Sequence, residues 1–528
     1  MFRRKFLKTT AAGVIVPTVL NGLPVKAYSN NSILDALVNP GVDTDHVLVL
    51  IYLGGGNDGI NTVVPIDQYS KYVAARPNVF IEQNKLLSIN GQTKLALHPS
   101  LKGFQTLYNE NKLTIVQSVG YPNPDYSHFR STDIWATASN SDELLDTGWM
   151  GRYLNSEYPG FPLGYPNASN PDPLAVQVGG NMPLLFQGPN AQMAMNVSNP
   201  DIFGAWPSGI DDPPPNTNLG HELSFIRTIN RQSKSFADAL LSAYFKGTNV
   251  ATYPTGNYLA DTLKVIARVI KGGLKTRLYL VNLYGFDTHS DQVVAGNKTT
   301  GVHATLLQYL ADGALAFQRD LEAMNLDNRV LGMTFSEFGR RIKDNLSGGG
   351  GTDHGAAAPL FLFGKNVVGG VVGNNPFIPT TVSVNDNIPM QYDFRSVYTS
   401  VLQDWFCVKD PALNDIMLRN FQSLPIVQKS NCITGVDDFE NLNESITLDT
   451  SSNPMVDRIT IFVKALDGHA ILQLINPLGT VVKTIYKGQL NAGNYNFDLE
   501  NENYPVGNYY LRLQQGAAQK TMPLMIVR

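Results

Sequence analysis

The feature that most constrains this chain is HVLVLIYLGG, residues 46–55, a near-continuous apolar run that ends in glycines. A strand with one face in water alternates apolar and polar residues, so an unbroken apolar run indicates a strand buried on both faces. Such strands belong to parallel sheets that are covered by helices on both sides. The run therefore predicts a layered α/β domain.

Apolar runs continue to alternate with helical patterns further along the chain. Strands are predicted at 113–120, 276–285, 329–339 and 358–364, and helices at 98–112, 258–271 and 302–324. This alternation indicates a mainly parallel sheet covered by helices on both faces. Right-handed crossovers then place the carboxyl ends of the parallel strands, and the usual functional site, at one edge of the sheet.

The first 27 residues indicate a targeting segment, which leaves 28–430 for the α/β domain. The segment begins with Arg3 and Arg4, continues into a modest apolar stretch and allows cleavage after Ala27. It resembles a twin-arginine signal peptide, and a general secretory signal is the alternative. Either one predicts export, to the periplasm and then to the cell surface or the medium.

The chain changes character after residue 430. Residues 431–454 are polar and acidic without a helical period, and they are predicted to form a linker. Residues 455–528 contain short alternating strands separated by Gly, Asn and Pro, which predicts a small antiparallel β-sandwich. This segment resembles the C-terminal sorting domain of the type IX secretion system, in NPLGTVVKTIYKG, in GNYYLRLQ and in the apolar last strand. An ordinary glycan- or partner-binding sandwich is the alternative.

Composition excludes some classes of function. The formal net charge is −4 and no stretch is dense in Lys and Arg, which argues against a nucleic-acid partner. Outside the signal segment no apolar run approaches the ~18 residues that a membrane span needs. The two cysteines, Cys407 and Cys432, are too few for a cysteine-rich metal site, and a disulfide between them and two unpaired thiols are both open.

Polar side chains follow the apolar strands in four segments, where packing alone does not require them. Carboxylates and imidazoles are ligands of divalent cations such as Zn, Mn, Mg or Ca, and Arg suits the geometry of phosphate or sulfate. The metal-ligand candidates are Asp58, Asp287, His289, Glu337, Asp353 and His354, and the catalytic candidates are Ser127, His128 and Arg130.

Each of these candidates has a structural alternative. Asp58 can belong to an Asn-Asp-Gly turn. Ser127 lies where a helix is expected to start, so it can be an N-cap as readily as a nucleophile. Glu337 can simply form an ion pair with Arg340. His354 follows SGGGG, which we interpret as a mobile hinge joined to a fixed Asp353-His354 end.

The segments GGGNDG, YSHFRSTDIW, GFDTHSDQ, TFSEFGRR and GTDHGAAAPLFLFG together resemble an exported bacterial family, domain of unknown function 1501, over roughly residues 40–425. That family is placed near the alkaline phosphatase and sulfatase superfamily. The resemblance implies a mainly parallel sheet with metals at the carboxyl ends of its strands. It aligns Asp58 with a first-strand ligand, Ser127 with the nucleophile and His354 with a final histidine.

The sequence departs from that superfamily in two places. Ser336-Glu337 replaces an Asp-His pair, and Asp287 and His289 are closer together than the superfamily's Asp-x-x-x-His. A standard two-zinc phosphatase is therefore in doubt. The expected function is a metal-dependent hydrolase of phosphate- or sulfate-like esters, with the twin-arginine and type IX machineries as partners. The alternative is a non-catalytic surface protein of the same fold that binds a glycan or protein.

Overall fold

The structure is a computed structural model, and it describes residues 44–179, 184–197, 217–345, 350–429, 446–466, 468–476, 481–502, 504–515 and 518–527, with the backbone of two short strands before residue 25. The rest of the predicted signal segment, residues 198–216 and most of the predicted linker lie outside the described residues. In the described residues no helix is long and apolar enough to cross a membrane.

In chain order the described strands are β1 (Val19–Leu20), β2 (Leu23–Pro24), β3 (Val47–Gly54), β4 (Val63–Pro65), β5 (Leu95–Leu97), β6 (Leu113–Gly120), β7 (Ala175–Val178), β8 (Ala194–Val197), β9 (Leu278–Tyr284), β10 (Val330–Phe335), β11 (Arg340–Asp344), β12 (Thr352–His354), β13 (Ala358–Phe363), β14 (Gly370–Val372), β15 (Tyr392–Asp393), β16 (Thr447–Thr450), β17 (Arg458–Ala465), β18 (Gly468–Ile475), β19 (Val481–Leu490), β20 (Gly493–Glu500), β21 (Gly507–Gln515) and β22 (Ala518–Ile526).

The α-helices are α1 (Gly59–Thr62), α2 (Tyr69–Ala75), α3 (Lys102–Asn109), α4 (His128–Thr137), α5 (Trp149–Glu157), α6 (Asn218–Lys246), α7 (Tyr258–Lys271), α8 (Val302–Ala323), α9 (Phe394–Ser400) and α10 (Ala412–Met417). Short 3₁₀ turns occur at Ile66–Gln68, Gln83–Lys85, Leu184–Phe186 and Asp327–Arg329, and a π-helical turn at Val401–Trp405.

The central sheet has nine strands in the order β14-β6-β13-β10-β3-β9-β7-β8, with β15 paired to β6. Eight of the nine strands run parallel to one another, and β13 runs antiparallel to both of its neighbours. The prediction of a mainly parallel sheet is confirmed.

Helices pack on both faces of this sheet, as the unbroken apolar run of β3 predicts. Val47, Val49, Ile51 and Leu53 point into one core cluster, which contains the apolar faces of α3, α7 and α8. Leu48, Leu50 and Tyr52 point into a second cluster with α4, α5 and α9. Because successive side chains of a strand alternate between its faces, both sets of β3 residues are buried.

The reversed direction of β13 decides where its flanking histidine lies. Ala358, at the start of β13, pairs with Val119 near the end of β6. A segment that precedes an antiparallel strand reaches the edge at which the parallel neighbours end. His354, four residues before β13, therefore meets the loops that follow β3, β9 and β10, although the sequence does not indicate the direction of this strand.

The C-terminal region is a β-sandwich, with β16-β17-β20 in one sheet and β19-β18-β21-β22 in the other. One apolar core joins the inner faces of the two sheets. The predicted boundary at residue 455 is too late, because β16 (Thr447–Thr450) already pairs with β17. Its four residues are too short a run for alternation to stand out from a polar linker. Cys407 is disulfide-bonded, and Cys432 lies outside the described residues.

Candidate metal centre

Three histidines and one aspartate converge at the carboxyl edge of the sheet, and we call them the histidine cluster: His128, His289, His354 and Asp287. Asp287 and His289 lie in the loop after β9, His128 is the first residue of α4, and His354 ends β12. Among the described residues, His128, Asp287 and His354 form a group able to hold a metal ion, with ligand atoms all within 4.8 Å of one another.

The imidazole nitrogens of the cluster surround the Asp287 carboxylate. Nε2 of His354 and Nε2 of His289 each lie 3.0 Å from Asp287 Oδ1, and they lie 3.0 Å from each other. Nε2 of His128 lies 3.4 Å from Asp287 Oδ2. Ligands of a tetrahedral zinc ion, at 2.0–2.1 Å from the metal, are about 3.3 Å apart. The spacing of these atoms therefore matches a metal coordination sphere.

The other nitrogen of each ring is held by an oxygen that accepts a hydrogen bond. Nδ1 of His128 lies 2.8 Å from Glu337 Oε1, and Nδ1 of His289 lies 2.8 Å from Asp353 Oδ1. Nδ1 of His354 lies 2.8 Å from the carbonyl oxygen of Tyr126. Carboxylate and carbonyl oxygens only accept, so each Nδ1 carries a proton. In a neutral ring of this tautomer the lone pair of Nε2 points toward Asp287.

This arrangement brings electron-rich atoms together. The Nε2 of His128 is buried and has no hydrogen-bond partner among the residues that the structure describes. Lone pairs at 3.0 Å from one another and from a carboxylate repel unless a cation or a proton lies among them. Histidines whose far nitrogen donates to a carboxylate or carbonyl are the usual ligands of transition metals. The donor set therefore fits a divalent metal.

Arg340 supplies a fixed positive charge beneath the cluster. Its guanidinium is buried, lies 2.8 Å from Asp287 Oδ1 and donates to backbone carbonyls that include those of Gly56 and Thr352. Burial acts to raise the pKa of Asp287, but the hydrogen bond from Arg340 outweighs it and holds that pKa well below the ordinary range. The carboxylate is charged at neutral pH and available to a cation.

Glu337 and Asp353 act on the cluster through histidines. Glu337 is buried, and its Oε1 also accepts the backbone N–H of Gly55. The hydrogen bond to Glu337 is the main reason why the pKa of His128 is raised, against the opposing effect of burial. Glu337 therefore pairs with His128 rather than with Arg340. Each carboxylate therefore contacts the Nδ1 atom of an imidazole, on the opposite side of the ring from the Nε2 atom that faces Asp287.

The glycines around the cluster allow segments to approach closely. A Cβ on Gly351 would lie 2.2 Å from the backbone of His289, and a Cβ on Gly355 would lie 2.4 Å from the backbone of Arg340. Gly55, at a φ of +120°, abuts the backbone of Asp287. The described part of the glycine run, Gly350 and Gly351, is buried, so we correct the hinge interpretation there: these glycines pack against the site.

Asp58 lies apart from the histidine cluster, in a buried group that we call the Asp58 network: Asp58, Arg76, Gln292, Asn57 and His303. Its Oδ2 lies 2.5 Å from Arg76 Nη1 and accepts a hydrogen bond from Gln292 Nε2. Burial acts to raise the pKa of Asp58, and Arg76 outweighs it and lowers that pKa. His303 bonds Asn57. Asp58 is thus already neutralised by a guanidinium.

Ser127 and Arg130 flank His128 on α4. Ser127 occupies the N-cap position, but its hydroxyl makes no capping bond, is exposed and has no hydrogen-bond partner among the described residues. The Nη2 of Arg130 donates to the carbonyls of Asn140, Ser141 and Glu143. Arg130 therefore holds a loop, which leaves it poorly placed to receive a substrate anion.

From the sequence, His128 was predicted to act in catalysis or anion binding, and its position in the histidine cluster was not predicted. Its signal was its position directly after a strand-end loop, the same feature that identified His289. The Tyr126 carbonyl had no signal, because backbone acceptors cannot be recognised from residue types.

Comparisons with known proteins give a family match over part of the chain and weak likenesses to solved structures. A family model described as a protein of unknown function (DUF1501) matches residues 265–416, which include Asp287, His289, Glu337, Asp353 and His354. No match is found among curated proteins.

Solved structures similar to this chain include three bacterial proteins. A sulfatase from Pseudoalteromonas sp. is 11% identical with a TM-score of 0.33, covering 89% of this chain and 86% of that chain. A protein in the alkaline phosphatase superfamily from Vibrio parahaemolyticus is 9% identical with a TM-score of 0.31, covering 92% and 81%. An alkaline phosphatase from an Antarctic bacterium is 12% identical with a TM-score of 0.24, covering 60% and 91%. Likenesses this weak carry no argument about the site.

Proposed function

We propose that this protein is an exported hydrolase of phosphate- or sulfate-like esters that uses one divalent metal ion held by the histidine cluster. The observation that carries the proposal is the convergence of three Nε2 lone pairs on the Asp287 carboxylate, with every Nδ1 bonded to an acceptor. Such an arrangement has little structural purpose in the absence of a cation.

The cluster lies at an accessible edge of the sheet. The side chains of Asp287 and His289 are 46% and 42% exposed, so a substrate can reach the ligands from solvent. A divalent cation bound there would supply Lewis acidity toward an ester oxygen. Neutral histidines and one carboxylate suit zinc or manganese better than calcium, which prefers oxygen ligands.

Ser127 is the candidate nucleophile of this proposal. Its exposed hydroxyl begins α4, next to His128, and the unpaired N–H groups of a helix N-terminus favour developing negative charge. In the proposed reaction the hydroxyl oxygen forms a bond to phosphorus or sulfur and gives up its proton. The bond from that atom to the alcohol oxygen breaks, and the alcohol leaves with the proton that the serine gave up. Water then cleaves the serine ester, which releases phosphate or sulfate and restores the Ser127 hydroxyl.

The Asp58 network supports one ion rather than two. Asp58 is the one predicted metal ligand that belongs neither to the histidine cluster nor to the carboxylates bonded to its imidazoles, and Arg76 and Gln292 occupy its Oδ2 at 2.5 Å each. A second cation would have to reach a fully buried carboxylate beside a guanidinium, whereas the Asp287 carboxylate, which also lies beside an arginine, is 46% exposed.

A non-catalytic binding protein is the second candidate, and one observation favours it. Phe129, next to His128 on α4, is 87% exposed, and Tyr284, at the end of β9, is 56% exposed. Exposed aromatic rings beside a site suit stacking on a glycan or a partner. In that case the cluster would bind metal without turnover.

Elemental analysis of the full chain, purified without chelator, tests the proposal. We expect about one equivalent of zinc or manganese per chain in the wild type and at least a hundredfold weaker binding in His354→Ala. His469→Ala is the matched control, because His469 is exposed in the β-sandwich. Aryl phosphates and aryl sulfates then report turnover, which Ser127→Ala should abolish while metal content stays unchanged.

Two results would count against the proposal in different ways. A wild-type protein that takes up no divalent metal after dialysis against zinc or manganese would remove the metal centre. A metal-loaded protein that hydrolyses neither ester class would leave the binding protein as the better account.

A further inference from the structure

We propose that Arg341, together with Tyr126, forms a subsite for a tetrahedral oxyanion next to the histidine cluster. This inference rests on the proposed function, because it names the residue that would recognise the anionic group of the ester. Arg130, the residue that the sequence indicated for this task, is occupied by three backbone carbonyls.

Arg341 is fixed to the cluster through the backbone of one of its histidines. Its Nε lies 3.0 Å from the carbonyl oxygen of His354, so the base of the guanidinium is held beside that residue. The guanidinium carbon lies 5.2 Å from the centre of the Tyr126 ring. Tyr126 in turn accepts a hydrogen bond from His354 Nδ1 with its carbonyl oxygen. Arg341 and Tyr126 therefore bracket His354.

The far end of the guanidinium has donors to spare. Nη1 makes a long contact of 3.4 Å with Asn385 Oδ1, and no carboxylate lies within ion-pair distance of Arg341 among the described residues. The side chain is only half-buried. An arginine fork that lacks a carboxylate partner matches two oxygens of a phosphate or sulfate group.

The neighbouring residue, Arg340, has a structural role, and its contacts differ from those of Arg341. Arg340 is fully buried, and its donors are taken by backbone carbonyls and Asp287. Arg341 instead has one strong bond and one weak one. The two residues point to opposite sides of β11, as successive residues of a strand do, so one neutralises Asp287 and the other remains available beside His354.

Asn387 adds a polar wall to this subsite. Its Nδ2 donates to the Tyr126 hydroxyl at 3.0 Å, which leaves the hydroxyl hydrogen of Tyr126 free to donate. A guanidinium fork and a phenolic O–H are both donors, which suits an acceptor-only oxyanion and disfavours a cation.

Calorimetric titration of the metal-loaded, full-length protein with inorganic phosphate and, separately, with inorganic sulfate tests the inference. Arg341→Gln should weaken binding of the preferred anion about tenfold to a hundredfold, and Arg341→Lys should lose less because charge remains without the fork. Lys343→Gln is the matched control: it removes one positive charge from the same strand, two residues away. The anion that binds more tightly identifies the ester class.

Metal content is measured for every variant, since it separates binding from indirect effects. An Arg341→Gln protein with normal metal content and weakened anion binding supports the subsite. Equal weakening in Lys343→Gln, loss of metal in Arg341→Gln, or unchanged anion binding in Arg341→Gln would each overturn it. Failure of ester turnover alone would count against the proposed function and leave the anion-binding result standing.

Discussion

Asp58 and Asp287 follow neighbouring parallel strands at the same edge of the sheet, yet their surroundings are opposite. Asp58 is fully buried and paired with Arg76, whereas the side chain of Asp287 is 46% exposed and surrounded by histidines. Both were predicted to bind metal from the same pattern of a strand followed by a carboxylate. Both carboxylates lie beside a buried arginine, Arg76 or Arg340, so the arginine alone does not distinguish them. A strand-end aspartate is a ligand candidate where its side chain is exposed and histidine nitrogens converge on it.

The first prediction tests this comparison by removing the guanidinium that neutralises Asp58. In Arg76→Gln a buried carboxylate loses its partner, and we expect the free energy of unfolding to fall by about 3–5 kcal/mol, measured by urea denaturation. Arg76 also donates to the carbonyls of Arg341 and Ile342, which adds to the loss.

Metal content tests the same comparison from the other side. Asp58→Asn should leave the amount of metal per folded chain unchanged, because Asp58 contacts Arg76 and Gln292 and does not belong to the metal-ligating group found among the described residues. If Asp58→Asn lost metal as fully as His354→Ala, Asp58 would be a ligand and the contrast drawn here would be wrong.

The second prediction concerns acid, to which the Asp58 network should respond most. Burial lowers the pKa of His303 to about 4, against an ordinary value near 6.5 in the unfolded chain. Between these values the unfolded chain binds more protons, so stability is present above about pH 6.5 and is lost as the pH falls toward 4. His303 alone accounts for about 3 kcal/mol of this loss.

Chelated protein, unfolded by urea at several pH values, gives the measurement. His303→Gln should flatten the dependence of stability on pH, while His469→Ala, at an exposed position, should leave it as in the wild type. A second buried ring, His98, lies 5.8 Å from His303 and has a pKa lowered by burial to about 3, so part of the slope should survive. A wild-type protein equally stable at pH 7 and pH 4 would contradict the buried, neutral state of His303.

The sequence predicted the elements that position the site better than the contacts within it. The unbroken run of β3 predicted burial on both faces, and the strand ends predicted where polar groups meet. The direction of β13 could not be predicted, because the apolar pattern of a six-residue strand is the same whether the strand runs parallel or antiparallel to its neighbours. Asp58 and Arg76 are separated by 18 positions in the sequence, with α2 between them, so no local sequence pattern predicts their pairing.

The histidine cluster shows the same limit at shorter range. Asp287, His289 and His354 were predicted as ligands, and the structure brings them together with His128. Glu337 and Asp353 were predicted as ligands too, and they lie behind His128 and His289 instead. A carboxylate that orients an imidazole and one that binds a cation have the same residue type and both follow a strand, so only distances distinguish them.

The last prediction separates those two carboxylates and carries the smallest effect. Glu337 is 1% exposed and also bonds Gly55, whereas Asp353 is 51% exposed and shares its oxygen with Asn345. Glu337→Gln should weaken metal binding about tenfold to a hundredfold, and Asp353→Asn less than tenfold, because water replaces an exposed hydrogen bond readily. Competition with a chromogenic zinc chelator measures both. If Asp353→Asn were as damaging as His354→Ala, Asp353 would itself be a ligand, and exposure would not be what sorts the carboxylates at this edge of the sheet.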